Sequence, residues 1–173
     1  MRLFVAAELP GEMLEALAET SAALREAVRG RYVAPDSFHV TLAFLGEVEG
    51  SRVPAACDAL RESCAGYGPI DASLRELGCF GRARAATLWQ GVNAAGLSAL
   101  AQDVRRSLRA AGFALDEKAF LAHVTLMRAA RLEGRELPMP CLACGTIDTV
   151  TLFRSDLSGD RPRYDALERL LLG

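Results

Sequence analysis

The chain has 173 residues, of which 51% are hydrophobic and 24% are charged, and its net charge is -2. A weakly acidic chain of this length suits one domain or two small lobes that share a core, and it argues against a non-specific nucleic-acid coat, which needs a broad basic surface. No apolar run reaches membrane-spanning length, and the opening segment meets Glu8 too early for a secretory signal, so we expect a cytoplasmic protein.

The first half of the chain predicts a strand and a helix, followed by a second strand and helix. An apolar strand over residues 1–6 leads to Pro10 and Gly11, which mark a helix start. Helical spacing then continues to Gly30, through Leu14, Leu17, Ser21, Leu24 and Val28. Residues 38–48 predict a strand, and a second amphipathic helix is expected through Val53, Cys57, Leu60 and Cys64.

The second half predicts a similar series. Two strands, over residues 70–77 and 87–92, are expected to flank an exposed loop. A helix follows, with Leu97, Leu100, Val104 and Leu108 on one face and Gly112 at its end. The remaining predicted strands cover residues 123–129, 146–154 and 164–170, and the loop over residues 155–162 is expected to join the last two as a hairpin.

The order of elements repeats, which indicates a diverged internal duplication. Because strands and helices do not alternate strictly, the pattern favours an α+β fold with antiparallel sheets and helices on their outer faces. No segment is long enough to act as a linker, so residues 1–173 are expected to form one domain of two interleaved lobes.

Only two histidines are present, and each begins the same tetrapeptide. These are His39-Val-Thr-Leu42 and His123-Val-Thr-Leu126, both in segments whose composition favours strands. A single exposed histidine on a strand is more often incidental than catalytic. Two identical tetrapeptides that hold every histidine of the chain favour a catalytic pair.

Side chains alternate between the two faces of a strand. Each histidine therefore shares a face with the threonine two positions later, Thr41 or Thr125, while the apolar neighbours point into the core. If the two halves are related by a pseudo-twofold axis, both His-Thr pairs converge on one central groove.

Such a site suits the opening of a cyclic phosphate. Water that attacks phosphorus must lose a proton and the departing ribose oxygen must gain one, and two imidazoles can serve as base and acid near neutral pH. The threonine hydroxyls can donate to the non-bridging phosphate oxygens. We expect no metal and no cofactor, because two histidines without an acidic cluster make a poor metal site.

Cys141 and Cys144 have the spacing of a redox or zinc motif. The chain has no second cysteine pair of this kind and no βαβ context, so structural thiols are expected rather than a disulfide framework or a zinc site.

The two His-Val-Thr-Leu segments resemble the two signatures of the 2H phosphoesterase superfamily. More closely, the chain resembles the bacterial and archaeal RNA 2′,3′-cyclic phosphodiesterases, historically called 2′-5′ RNA ligases. The resemblance covers nearly the whole chain, through segments 1–10, 37–48, 88–92, 120–128 and 150–157 together with Arg163 and Tyr164. One departure is Ala122, where the family often has proline before the second histidine.

The resemblance implies two pseudo-symmetric lobes around a central concave groove. It also implies metal-independent hydrolysis of a 2′,3′-cyclic phosphate to a 2′-phosphate. His39 is then the expected proton donor, His123 the proton acceptor, and Thr41 and Thr125 the phosphate-binding residues. The expected partner is an RNA or nucleotide that ends in the cyclic phosphate, and a tRNA is one candidate. We expect no membrane association, and nothing in the sequence demands more than a monomer.

Three further residues are candidate substrate contacts. Arg128 matches an arginine of the family's second block, although strict alternation puts it on the face opposite His123. Arg154 and Ser155 end a predicted strand beside the last loop and are candidates to line the groove.

Aromatic residues near these blocks have both structural and functional interpretations. Alternation from His39 gives Phe44 core parity, so packing is expected for it. Phe80 and Trp89 could stack a nucleobase, but Trp89 lies in an apolar strand and is expected in the core.

Two rival functions stay open at this point. The same residues could join RNA halves through a 2′-5′ linkage, with a 5′-hydroxyl replacing water. A protein of a different class, an RNA-end binding module without turnover, is less favoured by the low basicity.

Overall fold

A computed structural model describes residues 1–173, with nine strands, three α-helices and two short 3-10 turns. The strands are β1 (Arg2–Ala7), β2 (Arg29–Tyr32), β3 (Val40–Glu47), β4 (Ile70–Phe80), β5 (Ala86–Asn93), β6 (His123–Arg131), β7 (Cys144–Ile147), β8 (Thr149–Asp156) and β9 (Arg163–Leu171). The helices are α1 (Gly11–Ala27), α2 (Val53–Cys64) and α3 (Ala95–Ala110).

All nine strands belong to one curled antiparallel sheet, in the order β7-β4-β5-β6-β3-β1-β8-β9. Strand β2 pairs with the far end of β6, beyond the point where β3 leaves it. The two halves of the sheet meet at β3 and β6, which share the single residue pair Val40 and Val124. The predicted α+β class with helices on an antiparallel sheet is confirmed, and the two halves are hydrogen-bonded into one sheet.

The helices cover one face of this sheet and enclose a single hydrophobic core. Helix α1 contacts β2 and β7, while α2 contacts α3 and β9, and α3 also contacts β3 and β4. Leucines of all three helices are fully buried at this face, namely Leu17, Leu24, Leu60, Leu97, Leu100 and Leu108. The opposite, concave face of the sheet therefore has no helix over it.

Strand β2 was missed by the sequence reading, which extended the first helix to Gly30. The helix ends at Ala27, and Gly30 lies in β2. A Cβ atom at Gly30 would come within 2.5 Å of the Met127 side chain, so this glycine lets β2 approach β6 closely.

The strand predicted over residues 146–154 is two strands. Strand β7 pairs with β4 at one edge of the sheet, and β8 pairs with β1 in the other half. Only Asp148 separates them. Periodicity cannot locate this change of partner, because it depends on contacts with distant strands.

Strand β4 runs three residues beyond its predicted end, through Gly78. The ring of Trp89 lies against this glycine, and a Cβ atom there would be 2.2 Å from the indole. Glycine thus continues the strand because a ring occupies the position of a side chain. No helix of the protein is both long and apolar enough to cross a membrane.

Candidate active site

The single bridge between β3 and β6 brings the two tetrapeptides together. Val40 and Val124 lie opposite each other, and both are fully buried on the helix-covered face. In an antiparallel pair, opposed residues share a face and their neighbours point to the other one. The register therefore puts His39 across from Thr125 and Thr41 across from His123, with all four side chains on the concave face.

The two imidazoles are oriented in the same way. Nδ1 of His39 lies 2.7 Å from the carbonyl oxygen of Ser37, and Nδ1 of His123 lies 2.6 Å from that of Leu121. In each case the carbonyl accepts from the Nδ1–H group, which selects one tautomer and leaves Nε2 as the free nitrogen. Neither ring bonds to a carboxylate, so two matching backbone contacts hold the pair.

Aromatic rings surround His39. Its ring centroid lies 5.0 Å from that of Phe4, 5.5 Å from that of Tyr164 and 6.5 Å from that of Phe153. Sequence reasoning missed these rings, because β1, β8 and β9 meet only through long-range pairing. The earlier signal was the family likeness of segments 1–10 and 150–157 and of Tyr164, which together contain the three rings.

His123 also packs against aromatic rings, at 5.2 Å from Phe80 and 5.6 Å from Trp89. The expectation that Trp89 lies in the core is wrong. It pairs with Thr125 across β5 and β6, so it shares the concave face with His123 and is only half-buried. Phe80 lies beside it and is 43% exposed.

The surroundings of His39 favour its neutral form. Burial among the rings lowers the pKa of His39 to about 4, although part of the ring stays accessible. The Ser37 carbonyl opposes this by raising the pKa, while the charges of Arg128 and His123 lower it further. These charge effects also indicate that Arg128 and His123 lie close to His39.

The same irregularity follows both tetrapeptides. Against β1, the register of β3 shifts so that Thr41 pairs with Ala6 but Ala43 pairs with Val5. Against β5, the register of β6 shifts so that Thr125 pairs with Trp89 but Met127 pairs with Leu88. Each bulge adds one residue and reverses the alternation beyond it.

The bulges change two predicted placements. Phe44 is 42% exposed with the Arg2 guanidinium 4.7 Å from its ring centroid, so its predicted core packing is wrong. Arg128 likewise comes to the concave face of β6, where strict alternation from His123 did not put it. Phe44 lies five positions after His39, and Arg128 lies five positions after His123 in the other half.

The two candidates at the end of β8 are separated by the structure. Ser155 pairs with Arg2 and Tyr164, on the concave face. Arg154 pairs with the buried Leu3, so it belongs to the other face, where its guanidinium donates to Asp165 at 2.6 Å. Arg154 is therefore not brought to the histidine pair, whereas Ser155 lies toward the rim of the groove.

No group of three or more His, Cys, Asp or Glu side chains is arranged to hold a metal ion. All five cysteines have free thiols, and Cys141 and Cys144 form no disulfide. What converges on the concave face is two free Nε2 atoms, two hydroxyls and one guanidinium. This set can move protons and stabilise negative charge.

Comparison with known proteins gives a consistent result. Residues 7–89 match the family model described as LigT like phosphoesterase. An RNA 2′,3′-cyclic phosphodiesterase of Escherichia coli K12 is 31% identical, over 99% of this chain and 96% of its own length. A protein of the same name from Geobacillus stearothermophilus is 29% identical over 95% of this chain, which spans only 55% of that relative.

A solved structure has the same architecture. The crystal structure of Escherichia coli LigT complexed with 3′-AMP aligns with a TM-score of 0.84 at 31% identity. The alignment covers 99% of this chain and 97% of that one.

Proposed function

The chain belongs to the LigT-like phosphoesterase family. We propose that it is an RNA 2′,3′-cyclic phosphodiesterase that opens the cyclic phosphate to a 2′-phosphate without a metal, by paired-histidine acid-base catalysis. The observation that carries this proposal is the Val40–Val124 bridge, which directs His39, Thr41, His123 and Thr125 to one face. The entire sequence, residues 1–173, is proposed to form the single catalytic domain.

In the proposed reaction, Nε2 of His123 takes a proton from water, and the water oxygen forms a bond to phosphorus. The bond from phosphorus to the 3′-oxygen breaks, and the protonated His39 gives its Nε2 proton to that oxygen. One proton is accepted and one donated, so the pair ends with its charges exchanged. Each such transfer typically contributes about 10²- to 10⁴-fold in rate.

Negative charge builds up on the non-bridging phosphate oxygens as water attacks. The hydroxyls of Thr41 and Thr125 donate to these oxygens from opposite sides of the bridge. Arg128 adds a guanidinium whose charge already reaches His39 in the free protein. Water activation and charge stabilisation are thus both assigned to side chains, which supports a mechanism that needs no metal.

His39 can act as the acid only after substrate has bound. With its pKa lowered to about 4, the free protein holds this ring neutral at pH 7. A phosphate anion next to Nε2 raises the pKa, since an opposite charge favours the protonated form. The proton that His39 donates is therefore taken up together with the phosphate.

A leaving-group comparison tests this assignment. His39→Ala and His123→Ala should each remove most turnover of a 2′,3′-cyclic nucleotide. A phosphodiester that releases 4-nitrophenolate needs no proton donor, so His39→Ala should keep much of the wild-type rate on it while His123→Ala does not. If the His123 variant were the one rescued, the two roles would be reversed.

Product analysis tests the proposed function itself. The product should carry a 2′-phosphate, and turnover should be unchanged in EDTA. A 3′-phosphate would contradict the proposed leaving group, and loss of activity in chelator would reject the metal-free mechanism. Joining of RNA halves with a 5′-hydroxyl, in place of hydrolysis, would identify the ligase reaction. Unimpaired phosphate binding by His39→Ala with no product from wild type would identify a binding module.

A further inference from the structure

Strands β2 and β6 carry two pairs of like charges directly opposite each other. Arg31 lies across from Arg128, and Arg29 lies across from Arg131. All four side chains are exposed, and none forms an ion pair with a carboxylate. Like charges opposed across a sheet destabilise it, so the fold alone gives no reason for this arrangement.

These four arginines share the face of the histidine pair. Gly30 faces the Met127 side chain in the core, so its neighbours Arg29 and Arg31 project from the opposite, concave face. Because opposed residues share a face, Arg128 and Arg131 project there as well. We call this set, Arg29, Arg31, Arg128 and Arg131, the arginine ladder.

A strained bulge keeps the ladder on one face. From Arg128 to Arg131 β6 advances three residues, while β2 advances only two between Arg31 and Arg29. Regular alternation would send Arg128 and Arg131 to opposite faces. Ala129 between them has a φ of 51°, in the left-handed region that non-glycine residues rarely adopt. Backbone strain and charge repulsion therefore coincide at the place where the arginines are aligned.

We propose that the arginine ladder binds the sugar-phosphate backbone of an RNA chain that precedes the cyclic end, so that the enzyme prefers an RNA terminus to a free cyclic mononucleotide. This inference rests on the proposed function, because it assumes that the phosphate held by the histidines is the end of the chain. A polyanion removes the repulsion between the opposed guanidiniums, and arginine pairs with phosphate in a bidentate way.

The ladder has the extent that a chain of several nucleotides requires. At about 3.3 Å per residue, Arg131 lies roughly 20 Å along β6 from Thr125. The hairpin loop between β4 and β5 continues the basic surface, because Leu132 donates its backbone N–H to the Ala83 carbonyl at 2.6 Å. Arg82 and Arg84 flank Ala83 in this loop and form no ion pair with a carboxylate.

The test compares two substrates and two variants. The substrates are a 2′,3′-cyclic mononucleotide and a short oligoribonucleotide that ends in the same cyclic nucleotide. Arg29→Gln/Arg131→Gln removes the outer ladder pair, which is the pair farther from the histidines. Arg106→Gln/Arg109→Gln removes the same charge from exposed positions of α3, on the helix-covered side, and is the matched control.

For the ladder variant, kcat/KM on the oligonucleotide should fall on the order of tenfold at 0.1 M salt, while kcat/KM on the mononucleotide stays at the wild-type value. The dependence of log kcat/KM on log salt should weaken by about 1.4 for the oligonucleotide, from two phosphate contacts at about 0.7 each. The proposal would be overturned if the ratio of kcat/KM on the oligonucleotide to kcat/KM on the mononucleotide were the same in the ladder variant as in wild type. An equal fall of kcat/KM on the oligonucleotide in the α3 control would also overturn it.

The two proposals fail in different ways. If the proposed function is wrong, the wild-type protein will be inactive on both substrates. If only the arginine-ladder proposal is wrong, the wild-type protein will hydrolyse the mononucleotide and the oligonucleotide with the same kcat/KM. Thermal unfolding at low salt is the second readout. The ladder variant should have a higher Tm than wild type, because repulsion is relieved, and a lower Tm would contradict the charge argument.

Discussion

Replacing His39 with glutamine should reduce the loss of unfolding free energy that the protein shows as the pH falls below 6.5. The folded protein holds His39 at a pKa of about 4, chiefly because the ring is buried, whereas an unfolded chain titrates it near 6.5. Between these values the unfolded state binds the extra proton, so wild type loses stability as pH falls from 6.5 to 4. Above pH 6.5 this contribution is fully present, and below pH 4 it is fully lost.

The size of the effect follows from the difference in pKa. At about 1.4 kcal/mol for each pH unit, wild type should lose about 2 kcal/mol by pH 5 and about 3 kcal/mol by pH 4 from this group alone. Because the ring is partly exposed, these two losses of stability are upper limits. The His39→Gln variant lacks the group and should not show this part of the loss.

The measurement is urea unfolding of wild type and variant from pH 4 to 7.5. His123→Gln is the matched control, because it removes the other imidazole and leaves the buried ring of His39 in place. With only two histidines in the chain, NMR can follow each imidazole separately. The burial argument is refuted if wild type and His39→Gln have parallel curves, or if the resonance missing from His39→Gln titrates near 6.5.

Three other substitutions test the site. Thr41→Val should lower kcat about 10- to 100-fold, which is less than either histidine change, because one donor to a charged phosphate oxygen is lost while both proton-transfer groups stay. Thr146→Val on β7 is the control. Equal losses of kcat in Thr41→Val and in a His39 variant would contradict this ranking. Gly78→Ala should destabilise the folded protein by about 1–3 kcal/mol and also lower kcat, because a Cβ 2.2 Å from the Trp89 ring must displace a side chain that packs on His123. Wild-type stability and activity in this variant would disprove that packing. Arg154→Gln should leave kcat/KM unchanged and cost about 1 kcal/mol in urea unfolding, since its partly buried ion pair with Asp165 lies on the other face. A large loss of activity would restore Arg154 as a substrate contact.

Local pattern predicted the fold class, the three helices and the convergence of the histidines. These depend on periodicity and on a repeated tetrapeptide, both of which are properties of short segments. The bulges after Leu42 and Leu126 could not be predicted, because a bulge is defined by the register with a neighbouring strand. The misplacement of Phe44 and the doubtful placement of Arg128 both follow from assuming regular alternation past those points.

The two halves keep the same geometry but differ in chemistry. Each supplies an HVTL segment, an Nδ1–H bond to a carbonyl two residues earlier, and a bulge that turns the fifth residue after the histidine to the groove. That fifth residue is Phe44 in one half and Arg128 in the other. The half of His39 thus presents mainly aromatic rings, whereas the half of His123 continues into the arginine ladder. A duplication would account for two imidazoles that can meet at one phosphate, and later divergence would account for their unequal surroundings.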